Sequence, residues 1–281
     1  RICCLVGPNQ SAPMHRMLYP NTLEQKLGFD KIRDLLREAC ISPLGRDYVD
    51  RIRFSDNHQL IDKLLRQTYE FKQIVQYETD FPQSNYIDVR EQLTKARIEG
   101  LALTEAEFFD LKLSLRTIQD CLRFLSARDD NSFPYLTELA GPVSIDKKLT
   151  DAIERVIDDR GNVRDAASPE LARIRRQIIA EHKRKIKGFV HDESSTGQTV
   201  FLEPAEVFDA NNEIRELEYE ERREVYRILL ELTNLLRPYA DELKKAVNFL
   251  AQIDFIRAKA RLAVQLDAGM PQVLNRPVLN W

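Results

Sequence analysis

From Ala205 to Leu236 the chain runs for thirty-odd residues without a proline or a glycine. Within that run Val207, Ile214, Leu217, Val225, Ile228, Leu229, Leu232 and Leu236 recur at three- and four-residue steps, the period of one apolar helix face. At about 1.5 Å per residue, the run predicts a rod of roughly 50 Å, longer than a compact domain needs. Pro238 ends or bends it. A second helical run continues to about Leu266, with Leu243, Val247, Leu250, Ile253, Ile256, Ala260 and Val264 inside. The short connection predicts that the two pack as an antiparallel pair.

The rest of the chain reads as helix too. Its 281 residues hold only nine glycines against 45 acids and 42 bases, a balance that favours helix over strand. Helical periods are expected over Asn21–Ala39, around Tyr48–Ile52, over Asn57–Gln76, near Val89–Ala96, over Thr104–Ala127 and over Lys147–Ile157. Asp158-Asp159-Arg160-Gly161-Asn162 reads as a tight turn. Ser168-Pro169-Glu170 is a helix start, with serine as cap and proline at the first helical position. Residues 1–16 lack the period and hold Gly7, Pro8 and Pro13. They are expected to be a non-native or disordered extension, with Met17 as the natural start.

One stretch departs from helix. Lys185–His191 partly alternates and Gln198–Leu202 is β-rich, with a polar turn between them. These predict a small β-hairpin over 185–202.

The net charge of −3 excludes a global field that would draw the chain onto nucleic acid. A local patch remains. Arg173, Arg175, Arg176, Lys183, Arg184, Lys185 and Lys187 put seven fixed positive charges between Arg173 and Lys187, a cluster that can pair with phosphates. No aromatic residue interleaves with it, so base stacking is not indicated there. The alternative is ordinary surface charge. Along the longest run, Glu216, Glu218, Glu220, Glu221 and Glu224 alternate with arginines and read as a solvated face laced by ion pairs, since the arginines would repel a metal.

Catalytic signals are missing. Leu5-Val6-Gly7-Pro8-Asn9-Gln10 opens like a phosphate loop but lacks the lysine and hydroxyl that complete one. His191-Asp192-Glu193-Ser194-Ser195 puts acid, base and nucleophile types side by side in sequence, which does not make them meet across a pocket. Cys3, Cys4, Cys40 and Cys121 match no zinc spacing and read as free thiols in a reducing compartment. No run approaches a membrane span, and the expected location is the cytoplasm. The chain reads as a non-catalytic scaffold without cofactor or metal.

Several stretches resemble the MutS family, most of all its second bacterial paralogue branch, whose members carry a C-terminal Smr nuclease domain. The likeness rests on Thr22-Leu23-Glu24 through Phe29-Asp30-Lys31-Ile32 and on Cys40-Ile41-Ser42-Pro43-Leu44-Gly45. It is sharpest from Gly188 to Pro204, and continues in Asn211-Asn212-Glu213-Ile214-Arg215-Glu216-Leu217 and Ile253-Asp254-Phe255. The resemblance implies a mainly α, core/lever-type fold: an N-terminal helical core over 17–165 and lever helices with the hairpin over 166–281. The family's clamp segment is missing near 181–183, where Glu181 runs almost directly into Lys183. The full-length protein would be a homodimeric ATPase, using ATP and magnesium, and a nuclease. It would bind branched, mismatched or double-stranded DNA and restrain recombination, or act on stalled ribosomes. The other class of function is a structural protein-interaction domain that binds no nucleic acid.

Overall fold

Helices in this chain begin where a side chain can replace a missing carbonyl. The first four amides of a helix have no partner inside it. Ser42 accepts from the amide of Gly45 at 3.4 Å, Asn57 from Leu60 at 3.1 Å and Ser168 from Leu171 at 3.0 Å. Thr104 and Glu107 cap reciprocally: the Thr104 amide donates to the Glu107 carboxylate at 2.7 Å, and the Glu107 amide to the Thr104 hydroxyl at 3.3 Å. Proline stands at the start of the helices opening at Pro43, Pro134 and Pro169, where its missing N–H costs nothing.

The computed structural model describes residues 22–127, 132–187 and 205–274, without the side chains of 184–187 and 205–210. Eleven α-helices follow in order among them: α1 (Leu23–Lys26), α2 (Phe29–Ala39), α3 (Pro43–Asp50), α4 (His58–Tyr77), α5 (Arg90–Lys95), α6 (Glu105–Ser126), α7 (Pro134–Ala140), α8 (Lys147–Val156), α9 (Pro169–Lys187), α10 (Ala205–Leu236) and α11 (Ala240–Gln265). They form two compact units. The first takes in the described residues up to Leu93, Asp110–Asp146 and those from Tyr239 on; the second takes in Thr94–Phe109 and Lys147–Pro238.

In the first unit α11 is the central element. From Ala246 to Leu262 it is buried on nearly every side, the charged Asp254, Arg257 and Lys259 included. α2, α3 and α4 pack against it. A second cluster joins Phe71, Phe81, Phe124 and Phe133, whose successive ring centroids lie 4.9, 5.0 and 6.3 Å apart.

Two buried carboxylates fasten short helices to long ones. Asp254 on α11 is fully buried. It accepts from the amides of Ile41 and Ser42, each at 2.9 Å, and from the Ser42 hydroxyl at 2.8 Å. One turn along, the buried Arg257 donates to the Ala39 carbonyl at 3.3 Å. An anion therefore meets the N-terminus of α3 and a cation the C-terminus of α2, the favourable order for the two helix dipoles. Glu70 on α4 repeats the device, accepting from the amides of Tyr135 and Leu136 at 3.0 and 2.9 Å where α7 begins. Burial pushes the Glu70 pKa up, against the pull of these two bonds. Cys40 and Cys121 are free and buried. Burial, with Asp254 nearby, raises the Cys40 thiol to about 12, so it stays a neutral packing group.

The second unit holds α8, α9 and α10. The turn expected at Asp158–Asn162 is present: the Asp158 carboxylate accepts from the amides of Arg160 and Asn162, both at 2.8 Å, and Gly161 takes a φ of 88°. It is flanked by an isolated antiparallel bridge between Ile157 and Val163.

One expectation is corrected. No strand occurs among the described residues, and α9 continues through Lys187, so the hairpin expected over 185–202 does not begin at Lys185. The alternating pattern there spans too few residues to override a helix already started at Ser168 and extended by lysine and arginine, good helix formers. A lone two-stranded ribbon is marginal in any case. The remaining hairpin positions lie outside the described residues, as do residues 1–16. Within its own unit α10 packs against α9, and within the other α11 packs against α2, α3 and α4.

Replacing Asp254 with alanine removes the acceptor from three donors, the two of Ser42 buried and the Ile41 amide partly so. Unmet buried donors cost about 1–3 kcal/mol each, so a stability loss of at least ~2 kcal/mol is expected in urea unfolding. A Cβ on Gly45 would lie 2.5 Å from the Asp254 carboxylate, and Gly45→Ala should shift the midpoint in the same direction. An Asp254→Ala midpoint equal to wild type would show that the joint does not depend on this carboxylate.

Candidate nucleic-acid interface

Polar contacts and a narrow apolar seam register α9 against α10. Leu171 and Ile174 of α9 and Ile214, Ile228, Leu229 and Leu232 of α10 are buried. At the seam's edge the Ser168 hydroxyl donates to Glu224 at 2.6 Å while capping α9. Arg175 meets Glu221 at 2.7 Å, and Arg173 lies 3.8 Å from Glu220. Ser168 at the start of α9 meets Glu224, while Arg173 and Arg175 farther along meet Glu220 and Glu221, nearer the start of α10, so the pair is antiparallel.

The seven basic residues singled out in the sequence all fall on α9, where the sequence had divided them between a helix and a strand. Their environments differ. Arg175 is only 24% exposed and is held by Glu221, by Asp165 and by the Val163 carbonyl at 2.7 Å. It fastens α9 in place and faces away from solvent. Arg173 is exposed but chelated by Glu170 at 2.6 Å. Arg176 is exposed and donates back to the Ala172 carbonyl at 2.9 Å, and Lys183 is exposed. Arg173, Arg176 and Lys183 recur at steps of three and seven, which places them on one stripe. The side chains of Arg184, Lys185 and Lys187 lie outside the described residues, as do the Gly7 loop and the His191–Ser195 run.

Nothing described in the second unit is arranged for catalysis. A polar depression of about 680 Å³ is lined by Glu105, Asp158, Asn162, Arg164, Asp165 and Arg175 among others. Its carboxylates are engaged: Glu105 accepts from the Val163 amide at 2.9 Å, Asp158 holds its turn, and Asp165 pairs with Arg175. No cluster of metal-ligating side chains occurs among the described residues, and no described helix is long and apolar enough to cross a membrane.

What the sequence missed is the sorting of charge on α10. Its acids read as partners for arginines of the same helix. Glu224–Arg227 does form at 2.7 Å, and Glu218–Arg222 is a loose 3.8 Å. Glu220, Glu221 and Glu224, however, turn toward α9. The signal was the match of Ser168 to Glu224 and of Arg173 and Arg175 to Glu220 and Glu221, legible only once α9 is known to be the partner.

No family model matches the chain. Individual proteins do. It is 29% identical over 292 residues to the Endonuclease MutS2 of Geobacillus sp. (strain WCH70), a match taking in 89% of this chain and 37% of that protein. It is 30% identical over 295 residues to the Endonuclease MutS2 of Caldanaerobacter subterraneus subsp. tengcongensis, covering 91% of this chain and 37% of the relative. With the Endonuclease MutS2 of Alkaliphilus oremlandii the figures are 29% over 290 residues, 89% and 36%. The chain thus spans little more than a third of the length of the curated relatives it matches. In the Geobacillus match, 89% of 281 residues is about 250, against 292 aligned positions, so about 42 positions of the relative have no counterpart here.

Hydrogen bonds from Arg227 and Ser168 hold Glu224 well below the usual carboxylate range, at about 2. A depressed carboxylate stabilises the fold above its unfolded pKa of roughly 4.3, and that contribution drains away as pH falls from there through about 2. Glu224→Gln should therefore be less stable than wild type at pH 7, with the two urea midpoints converging on acidification. A midpoint difference independent of pH would show that Glu224 titrates normally.

Proposed function

We propose a mechanical, nucleic-acid-handling role for this chain, which belongs to the MutS2 branch of the MutS family. In this reading the chain is the core and lever part of a larger protein and carries no catalytic group of its own. The observation that carries it is the α9–α10 pair. α10 has 32 residues, about 48 Å at 1.5 Å each. It has no internal glycine or proline and is fastened to α9 by Ser168, Arg173 and Arg175. A rod without hinges passes on a displacement that a bent one would absorb. The motor and the nuclease lie elsewhere in the full-length protein, an ATPase using ATP and magnesium and acting as a homodimer.

The partner is branched or mismatched DNA, with restraint of recombination as the outcome; stalled ribosomes are the other target of the same apparatus. Phosphates meet the outward stripe of α9: Arg173, Arg176 and Lys183, with Arg184, Lys185 and Lys187 beyond. Arg175 contributes by fixing the helix. The reading also takes the clamp segment to be missing near 181–183. Two observations support that: α9 passes unbroken through Glu181, His182 and Lys183, and the Geobacillus relative has about 42 aligned positions unmatched here.

A purely structural helical domain is the second reading. It is favoured by the acidic net charge and by the carboxylates already on Arg173 and Arg175.

Fluorescence anisotropy with a labelled four-way DNA junction separates the two. Binding that weakens steeply with salt is expected. Reversing Lys183, Arg184 and Lys185 to glutamate should flatten the log–log slope by about 0.9 per lost phosphate contact. Salt-independent or absent binding favours the structural reading, and an unchanged slope in the triple variant discards the patch. In the full-length protein, a Gly-Pro insertion after Glu220 should leave ATP turnover intact but disconnect it from DNA binding; persistent coupling would remove the lever role.

A further inference from the structure

The outward face of α10 carries a second, chemically different surface. Arg215, Tyr219, Arg222, Arg223 and Tyr226 follow one another at helical steps of four, three, one and three, so they share one side of the helix. All five are exposed, Tyr219 by 63% and Tyr226 by 52%. No acid stands among them. Glu220, Glu221 and Glu224 are turned to α9, where they meet Arg173, Arg175 and Ser168. Glu216 and Glu218 only flank the stripe, and the nearest ion pair to it is the 3.8 Å contact of Glu218 with Arg222. Arg215 and Arg223 form no ion pair among the described residues. The α9–α10 seam thus sorts the charges of one helix, with acids inward and guanidinium groups outward.

Exposed rings placed beside exposed guanidinium groups are the recurring means of holding an unpaired strand, with rings for the base faces and cations for the phosphates. We infer that this face of α10 binds unpaired bases of DNA, beside the duplex assigned to the α9 stripe; the inference rests on that nucleic-acid reading. Tyr219 and Tyr226 are seven residues apart, about 10 Å along the axis, leaving each ring room for its own base. Arg222 and Arg223 lie between them at the level of the connecting backbone. The Arg222 guanidinium sits 5.4 Å from the Tyr219 ring centroid, so a base stacked on either plane meets a cation as well. The Tyr226 hydroxyl is tied to the Gly100 carbonyl at 3.3 Å, which steadies the ring while leaving it open. A stacking face of this kind has no use for paired bases, whose faces are covered by their neighbours.

The test uses the whole chain and three fluorescein-labelled 30-residue probes: oligo-dT, oligo-U and a blunt DNA duplex. Anisotropy should show tighter binding to oligo-dT than to the duplex. Tyr219→Ala should weaken oligo-dT binding about five- to hundred-fold, the range for loss of one base–aromatic stack, while leaving duplex binding unchanged. Arg223→Gln should flatten the salt slope on oligo-dT by about 0.7. Tyr219 is largely in solvent, and an unaltered circular dichroism spectrum confirms that the variant folds; Tyr219→Phe should restore binding. Oligo-dT affinity unchanged in both Tyr219→Ala and Tyr226→Ala overturns this inference and leaves the α9 reading standing. Failure of wild type to bind any probe overturns both. Tighter binding of oligo-U than oligo-dT reassigns the face to RNA. Capture of poly-glutamate in place of oligo-dT reassigns it to an acidic protein. Either result ends the proposal.

Discussion

A carboxylate taken wholly out of water is tolerated only where donors meet it, and Asp254 sits on a helix that leaves almost no side to solvent. Its three donors all come from the joint between α2 and α3, so that joint can occupy one position only. Gly45 has no side chain because the carboxylate fills the space a Cβ would need. Arg257 closes the other side through the Ala39 carbonyl. The apolar packing of α11 is non-directional and would accept neighbouring helices at several rotations. The buried polar contacts choose among them, and Glu70 does the same for α7. Removing either acid leaves hydrophobic surface in place but deletes the instruction for how to cover it.

The second unit solves its pairing differently. The seam between α9 and α10 is narrow, and charge completes it at its edge. Exposed ion pairs contribute little to stability, and Arg173 belongs in that class. Arg175 and Glu224 are better shielded, at 24% and 11% side-chain exposure, and they fix the axial register of the pair. The same sorting decides what the pair shows to its surroundings. Cations that would be neutralised along a single helix are left to face outward, because their acids are occupied by the neighbour.

Much of this was legible beforehand. The cap at Ser168 follows from local chemistry: a short polar side chain, a proline at the next position, then a periodic run. Such signals depend on few residues and survive any tertiary setting. The long α10 was equally clear from its unbroken period. The failures share a cause. Lys185-Ile186-Lys187 alternates as a strand would, yet three residues cannot outvote a helix already propagating into them. That α9 is the partner of α10 within its unit was not foreseen, because short connections turn attention to the next helix along the chain. The burial of α11 on nearly every side, its charged Asp254, Arg257 and Lys259 included, was equally hidden. The candidate basic site was found by composition, but composition could not show that Arg175 is consumed internally. Nor could it show that Tyr219 and Tyr226 stand clear of the core on a face free of acids.

The Ile41–Asp254 contact joins residues 213 positions apart. A chain made from its N-terminus at about 5–20 residues per second therefore presents α2, α3 and α4 for roughly 10–40 s before the helix that organises them exists. During that interval their apolar faces have only one another, or a chaperone, for cover. The first unit can close only after Asp254 has left the ribosome, so a message broken upstream of that residue yields a product with no centre to fold around, and hence one suited to rapid proteolysis.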